Sequence, residues 1–207
     1  YYRLEIHTDR ITILANEPVG LFYGVQTLNQ LIDQYGRSIP CLTIEDWPDF
    51  DQRGIMLDIS RDKVIKSETL YELVDRMAAL KLNQLQLYTE HTFAYHNHEE
   101  VWAKASPFTG EEILALDRYC RDRFIRLVPN QNSFGHMERW LSHPRYAHLA
   151  EIVGEFEVPW GKMVGPFSVS PAVPGSQELI FSLFDELLPH FTEKQLNIGC
   201  DETFDLG

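Results

Sequence analysis

Basic residues are in short supply in this chain. Eighteen lysines and arginines face 31 aspartates and glutamates, a formal charge of −13 at pH 7 over 207 residues. That balance repels a phosphate backbone or an anionic bilayer, so nucleic acid and membrane surfaces are not expected partners. Long apolar runs are also missing: nothing approaches the roughly 18–20 residues of a membrane span. The opening "YYRLEIHTDR" has no basic segment leading into an apolar one, so no signal peptide is read from it. Its first residue is not Met, and the natural start is expected to lie upstream. Cysteine is sparse. Cys41, Cys120 and Cys200 are odd in number and widely spaced, with no CxxC or Cys/His zinc spacing. Three free thiols are expected, which leans toward a reducing, cytoplasmic compartment and leaves an extracellular or periplasmic one open. No metal and no cofactor are expected. No GxGxxG or other glycine-rich phosphate cradle follows the first strand of the longer segment, which counts against a nucleotide-binding sheet.

What is present is a globular composition, 44% apolar and 12% aromatic. "YRLEIHTDRITILAN" alternates around Thr8-Asp9-Arg10 and predicts a hairpin. "GLFYGVQTLNQLIDQYG" predicts an amphipathic helix with Phe22, Val25, Leu28, Leu31 and Ile32 on one face and a stop at Gly36. The prolines of "SIPCLTIEDWPDF" mark a linker. We therefore divide the chain into residues 1–45, the C-terminal part of a small α/β domain, and residues 46–207. In the second segment "RGIMLDIS", "NQLQLYT", "FIRLVPNQ" and "QLNIGC" read as strands. Between them lie a helix capped by Ser67, a helix opened by the capping box Thr109-Gly-Glu-Glu112, and a helix carrying Leu179, Ile180, Leu183, Phe184, Leu187 and Leu188. A helical stretch is also expected from about His136 to Ala150, followed by a loop rich in glycine and proline.

Strands alternating with helices predict parallel pairing, in an open doubly wound sheet or a (β/α)8 barrel. Each strand ends in polar groups: Asp58 and Arg61, Glu90 and His91, Asn130 to Asn132, Asp201 and Glu202. Polar residues at the C-terminal ends of several strands are the barrel's active-site arrangement. A complete barrel needs eight strands and roughly 250 residues, so four strands are expected to be its first half. A compact four-stranded domain is the alternative. The half-barrel alone is expected to be inactive or unstable, because it cannot close.

Asp201 and Glu202 are adjacent at the end of the last strand. Two carboxylates this close repel, and a protonated acid beside an ionised one is what glycosidic cleavage requires. A solvated pair in a loop is the plain alternative. The surrounding motifs add weight. "NIGCDE" resembles the acid-bearing strand of glycoside hydrolase family 20, the β-N-acetylhexosaminidases. "QRGIMLDISRDKV", "NQLQLYTEHTFAY" and "LVPNQNSFGHMERWL" resemble its first three barrel strands. "RITILANEPVGLFYGVQTLNQLI" resembles the end of its non-catalytic α/β domain.

The resemblance implies a (β/α)8 barrel behind a small α/β domain, a carbohydrate substrate, and hydrolysis assisted by the substrate's own 2-acetamido oxygen. It implies that Glu202 is the general acid/base and that Asp201 orients the acetamido group. It implies that Arg53 and Glu90 bind substrate and that His136 supports the acid. A salt bridge to Asp58 or Asp51 is the plainer alternative for Arg53, and a satisfied buried histidine is the plainer one for His136. Glu90, Asn132, Phe134 and Cys200 depart from the usual family residues and suggest a divergent branch. Two other functions stay open: an ordinary two-carboxylate glycosidase pairing Glu90 with Glu202, and a noncatalytic carbohydrate-binding relative. His91, His96, His98, Glu99 and Glu100 are dense enough for a metal, but their irregular spacing favours a polar loop. Trp102 and Trp160 suit sugar stacking, although loop tryptophans more often pack.

Overall fold

Alternation in "YRLEI" buries Tyr2, Leu4 and Ile6 on one face of β1 (Tyr2–Ile6). This strand is the centre of an antiparallel sheet, with β2 (Ile11–Ala15) and β3 (Leu42–Asp46) on either side and Leu4 opposite both Ile13 and Ile44. The computed structural model describes residues 1–206. Helix α1 (Pro18–Tyr35) covers the sheet and ends at Gly36, whose left-handed φ of 62° and N–H bond to the Ile32 carbonyl close its last turn. The buried face is rotated from the one expected: Phe22, Leu28 and Leu31 pack against the core as expected, but Val25 and Ile32 are exposed, and Gly20, Tyr23, Gly24 and Thr27 are the most buried. Glycine decides the rotation. A Cβ on Gly24 would lie 2.5 Å from Ile13 Cγ2, so the helix approaches the sheet closer than a larger side chain permits.

The second sheet is parallel, in the order β4 (Gly54–Asp58), β5 (Gln84–Tyr88), β6 (Arg126–Val128), with Ile55, Leu85 and Leu127 in one row. Helices α2 (Ser67–Ala79), α4 (Gly110–Arg121) and α6 (Ser176–Leu187) share one core with that row, with Leu70, Val74, Ile113, Leu116 and Leu183 at most 3% exposed. The short α3 (Glu99–Trp102) lies between β5 and α4. Thr109 and Glu112 form the expected capping box, Glu112 N–H to Thr109 Oγ1 at 3.2 Å and Thr109 N–H to Glu112 Oε2 at 2.8 Å. Ser67 does not cap α2. It is the first helical residue, and its hydroxyl reaches Glu112 instead.

Two further expectations are corrected. The stretch 136–150 holds only α5 (Glu138–Leu141) and a single 3₁₀ turn at Ala147–Leu149, because Pro144 cannot continue a helix. The glycine- and proline-rich loop after it contains an antiparallel hairpin, β7 (Glu155–Val158) and β8 (Gly161–Val164), packed on Phe167 through Phe156 and Val158. The segment read as a fourth strand does pair parallel to the chain after β6: Asn197 N–H donates to the Pro129 carbonyl at 3.0 Å, and the N–H groups of Gln131 and Ser133 donate to the Asn197 and Gly199 carbonyls at 3.1 and 3.4 Å, around the bridge Asn130 to Asn197. Asn197 Oδ1 takes the Gly199 N–H at 3.0 Å and Gly199 is left-handed at φ 52°, so the regular pairing is short. Among the described residues, no helix is long and apolar enough to cross a membrane.

Candidate active site

Three strand ends and the segment after Asn197 converge on one mouth. At the end of β4, Asp58 Oδ1 accepts the N–H groups of Ser60 at 2.8 Å and Arg61 at 3.0 Å, and Oδ2 takes Arg61 Nε at 2.5 Å. Burial alone would raise the Asp58 carboxyl; these hydrogen bonds outweigh it and hold the group below its ordinary range. The Arg61 guanidinium lies 4.8 Å from the centre of the Tyr88 ring and keeps over half of its surface exposed.

After β5 the chain enters the interior. Glu90 is buried and held on three sides: Ser60 Oγ takes its N–H at 2.7 Å, and its carbonyl accepts Gln131 Nε2 at 2.9 Å and Trp140 Nε1 at 2.7 Å. Its carboxylate accepts the Tyr88 hydroxyl at 3.0 Å. Burial raises the Glu90 carboxyl, and the Tyr88 hydrogen bond and the charge of His136 offset that only in part.

His136 sits between the buried acid and the exposed pair. Its Nδ1 is 3.6 Å from Glu90 Oε1, and its Nε2 is 3.1 Å from Glu202 Oε2 and 4.0 Å from Asp201 Oδ2. The ring is fixed edge-on against Phe167, with centroids 4.9 Å apart. His136 and Glu202 both have left-handed backbone, φ 57° and 53°. Neighbours on a regular strand point to opposite faces, and the turn at Glu202 brings its carboxylate to the same imidazole as that of Asp201. Gly135 allows the close approach: a Cβ there would lie 2.6 Å from the Asp201 carbonyl oxygen. Beyond the pair, buried Asp205 fastens the segment by accepting the Ser168 N–H at 2.9 Å. Donor atoms of His136, Asp201 and Glu202 lie within 4.8 Å of one another, so this trio has the spacing to hold a cation.

Arg53 is not at this mouth. It precedes β4 at the opposite end of the strand, and its guanidinium bonds the Lys81 carbonyl at 2.9 Å, the Phe50 carbonyl at 2.6 Å and Tyr23 Oη at 3.2 Å. The arginine at the mouth is Arg61, the second one in "RGIMLDISR". Its position past the C-terminal strand end was the available signal. The histidines after β5 diverge: His96 meets Glu186, His98 meets Tyr146, and His91 is buried alone. Trp102 packs, with Nε1 donating to the Tyr95 carbonyl at 2.8 Å. Trp160 at the hairpin tip is 66% exposed and stands edge-on to Phe204, centroids 5.1 Å apart. Asn132 is fully buried against Gly199, its side-chain amide without a hydrogen-bond partner among the described residues. Cys200 and Cys41 are exposed and Cys120 is buried, its thiol pushed up to about 12 by burial.

Known proteins resemble this chain over nearly its whole length. The chain is 27% identical to beta-hexosaminidase subunit beta of Rattus norvegicus, covering 97% of this chain and 38% of that protein. The solved chitobiase of Flavobacterium johnsoniae superposes with a TM-score of 0.84 at 27% identity, over 98% of this chain and 32% of that one. A mutant Streptomyces plicatus beta-hexosaminidase, solved in complex with product (GlcNAc), superposes with a TM-score of 0.80 at 26% identity, over 98% and 45%. The chain thus spans less than half the length of these relatives. Residues 1–47 match the family model "Glycosyl hydrolase family 20, domain 2", and residues 50–206 match "Glycosyl hydrolase family 20, catalytic domain". With its parallel α/β segment matched almost from end to end, this chain belongs to glycosyl hydrolase family 20.

Proposed function

We propose that the protein is an exo-acting β-N-acetylhexosaminidase that releases a terminal, non-reducing, β-linked N-acetylhexosamine with retention of configuration. The carrying observation is the position of His136, with Glu202 3.1 Å from one ring nitrogen and Glu90 3.6 Å from the other. Two protein carboxylates acting on either side of a sugar must leave the space between them to the sugar, about 5 Å for a retaining enzyme. Here an imidazole occupies the space between Glu90 and Glu202, and Glu90 is buried. That geometry disfavours the two-carboxylate reading. Asp201 and Glu202 are chain neighbours at the same imidazole, and among the described residues no carboxylate at this site stands opposed to them across open space. The substrate's acetamido oxygen supplies the nucleophile, a route that some glycosidases take.

In this reading Glu202 protonates the leaving oxygen and later activates water, with His136 orienting it. Asp201 accepts the acetamido N–H and stabilises the positive charge that develops on the cyclised intermediate. Glu90 acts through His136 as a positioning residue. Arg61, in place of Arg53, offers its guanidinium fork to sugar hydroxyls.

Residues 1–45 read as the end of a small non-catalytic α/β domain, and residues 46–207 as the first half of the catalytic (β/α)8 barrel. The two family matches support this division. The half-barrel is further supported by helices that cover one face of the parallel sheet while the other carries Gln84, Gln86 and half-exposed Met56.

Glu202→Gln in the full natural length of the protein should lower turnover of an alkyl β-N-acetylglucosaminide, a poor leaving group, on the order of 10²–10⁴-fold. A thiazoline analogue of the cyclised intermediate should inhibit the wild type. Full activity in the variant, or no inhibition by the thiazoline, would refute the reading.

A further inference from the structure

Beside the candidate active site, cations gather without partners. Lys63, Lys104 and Arg139 line one open cleft of about 590 Å³, with Ser60 and His91 in its wall. A second cavity of about 270 Å³ shares His91, Lys104 and Arg139 with it. The three cations come from separate parts of the chain: the loop after β4, the turn after α3, and α5. All three are exposed, and among the described residues none has a carboxylate within ion-pair distance. In a chain of charge −13 this reverses the prevailing balance. Asp62 is the one acid on the first cleft; the second carries Glu138, which makes no ion pair among the described residues, and Glu100, already engaged by Arg145 and Tyr146, each at 3.1 Å.

The wall of the cleft holds an orphaned polar group. His91 is 6% exposed, and its Nδ1 is buried with no hydrogen-bond partner among the described residues. Burial first, and then the charge of Arg139, holds the imidazole down to about 4, so it is neutral at neutral pH and carries one ring N–H. A neutral donor–acceptor ring amid unneutralised cations lacks one thing, an anion. Guanidinium and ammonium groups converging from different segments bind a sulfate, phosphate or carboxylate through charge-assisted hydrogen bonds.

We propose that this cleft is an oxyanion-binding site, formed by Lys63, Lys104 and Arg139 around His91. Its size suits a small ligand or one sugar unit. Ser60, in the wall of the cleft, accepts the Glu90 N–H at 2.7 Å, so the cleft lies beside the segment that carries Glu90. The oxyanion then fits as an acidic substituent, a sulfate ester or a carboxylate, on the glycan being cleaved. That source rests on the hexosaminidase reading; the binding of an oxyanion does not.

The test uses the protein in its full natural length and inorganic sulfate as probe, by titration calorimetry at low ionic strength. The wild type should bind one sulfate per chain, more weakly as sodium chloride is added. The triple variant Lys63→Gln/Lys104→Gln/Arg139→Gln should bind at least tenfold more weakly, and Lys194→Gln, an exposed lysine outside the cleft, should match the wild type. Equal sulfate binding by the triple variant and the wild type, or none by either, would overturn the proposal. Kinetics then separates the sources. If the substrate carries the anion, kcat/KM should fall in the triple variant for a glycan with a sulfated or uronate neighbour and stay unchanged for a neutral aryl glycoside. If sulfate binding is lost while both substrates are turned over as before, the site still stands and its ligand is a free oxyanion. A wild type that binds sulfate but turns over neither substrate refutes the hexosaminidase reading and leaves the cleft as a binding site.

Discussion

Gly135→Ala isolates how closely the acid-bearing segment must approach its neighbour. Gly135 has no left-handed φ, so alanine suits the backbone and the effect is steric. Its Cβ would lie 2.6 Å from the Asp201 carbonyl oxygen, where ordinary contact begins at 3.4 Å. Backbone must therefore move by close to the difference, and both candidates for moving carry site residues: His136 follows Gly135 and Glu202 follows Asp201. Overpacking of this kind costs about 1–3 kcal/mol, and in a protein above 150 residues each kcal/mol lowers Tm by about 2–4 °C. Activity is more sensitive, since misplacing reacting groups by about 1 Å costs on the order of 10²-fold. We expect kcat/KM on an aryl N-acetylglucosaminide to fall ten- to a hundredfold (~1.4–2.7 kcal/mol of transition-state stabilisation), with a modest drop in Tm. Gly154→Ala is the control, because its Cβ meets nothing within 4 Å. Activity of Gly135→Ala within twofold of that control would show that the approach of the two segments does not set the acid's position.

The two arginines flanking β4 should separate cleanly. Arg61→Ala should raise KM with little change in Tm, while Arg53→Ala should lower Tm and leave KM alone, because its bonds are structural; steady-state kinetics and thermal melts decide, and the opposite pattern would restore Arg53 to the site. The buried Glu90 carboxyl makes a pH-dependent contribution. Its native value is raised above the ordinary 4.5, so the native state binds the extra proton and wild-type stability should decline as pH rises from about 4.5 through the raised value. Glu90→Gln should lose that decline, and melts from pH 4 to 7 that run parallel for both proteins would contradict it.

Much of the parallel segment was legible because its helices are long enough to show their period. Leu70, Val74 and Met77, and Ile113, Leu116 and Cys120, recur at helical spacing and are buried, whereas Leu80, at the same spacing but past the end of α2, is 68% exposed. The capping box at Thr109 and Glu112 needed only local chemistry, and it formed. The hairpin β7–β8 stayed hidden because each strand has four residues and packs a satellite cluster around Phe167, too little for a periodic signal between Pro159 and Gly161. The last predicted strand, "QLNIGC", pairs only over Asn197 to Gly199, where three backbone hydrogen bonds join it to residues 129–133 and the left-handed Gly199 ends its regular course. At the site, Glu90, His136, Asp201 and Glu202 were named from motifs, and the structure gathers them around one imidazole. Arg53 was misplaced because a motif does not say which of its two arginines lies at which strand end; eight residues of extended chain separate them by on the order of 25 Å.

The bonds that occupy Arg53 bear on whether the two halves of the chain can be separated. Lys81, between α2 and β5, donates to Tyr2 Oη at 2.9 Å and Asp46 Oδ2 at 2.7 Å, and Gln30 donates to the Ala79 carbonyl at 2.7 Å. Phe22 of α1 packs against Phe124, centroids 5.3 Å apart. A seam stitched by aromatic packing, side-chain hydrogen bonds and backbone carbonyls couples the melting of one unit to the melting of the other. Calorimetry should show a single cooperative transition spanning both, and two resolved peaks would mean that the small sheet is a passive neighbour. If they melt together, the antiparallel sheet acts as a foundation at the end of the parallel sheet away from the candidate site, and substitutions in Tyr2 or Tyr23 would reach activity only by loosening the whole.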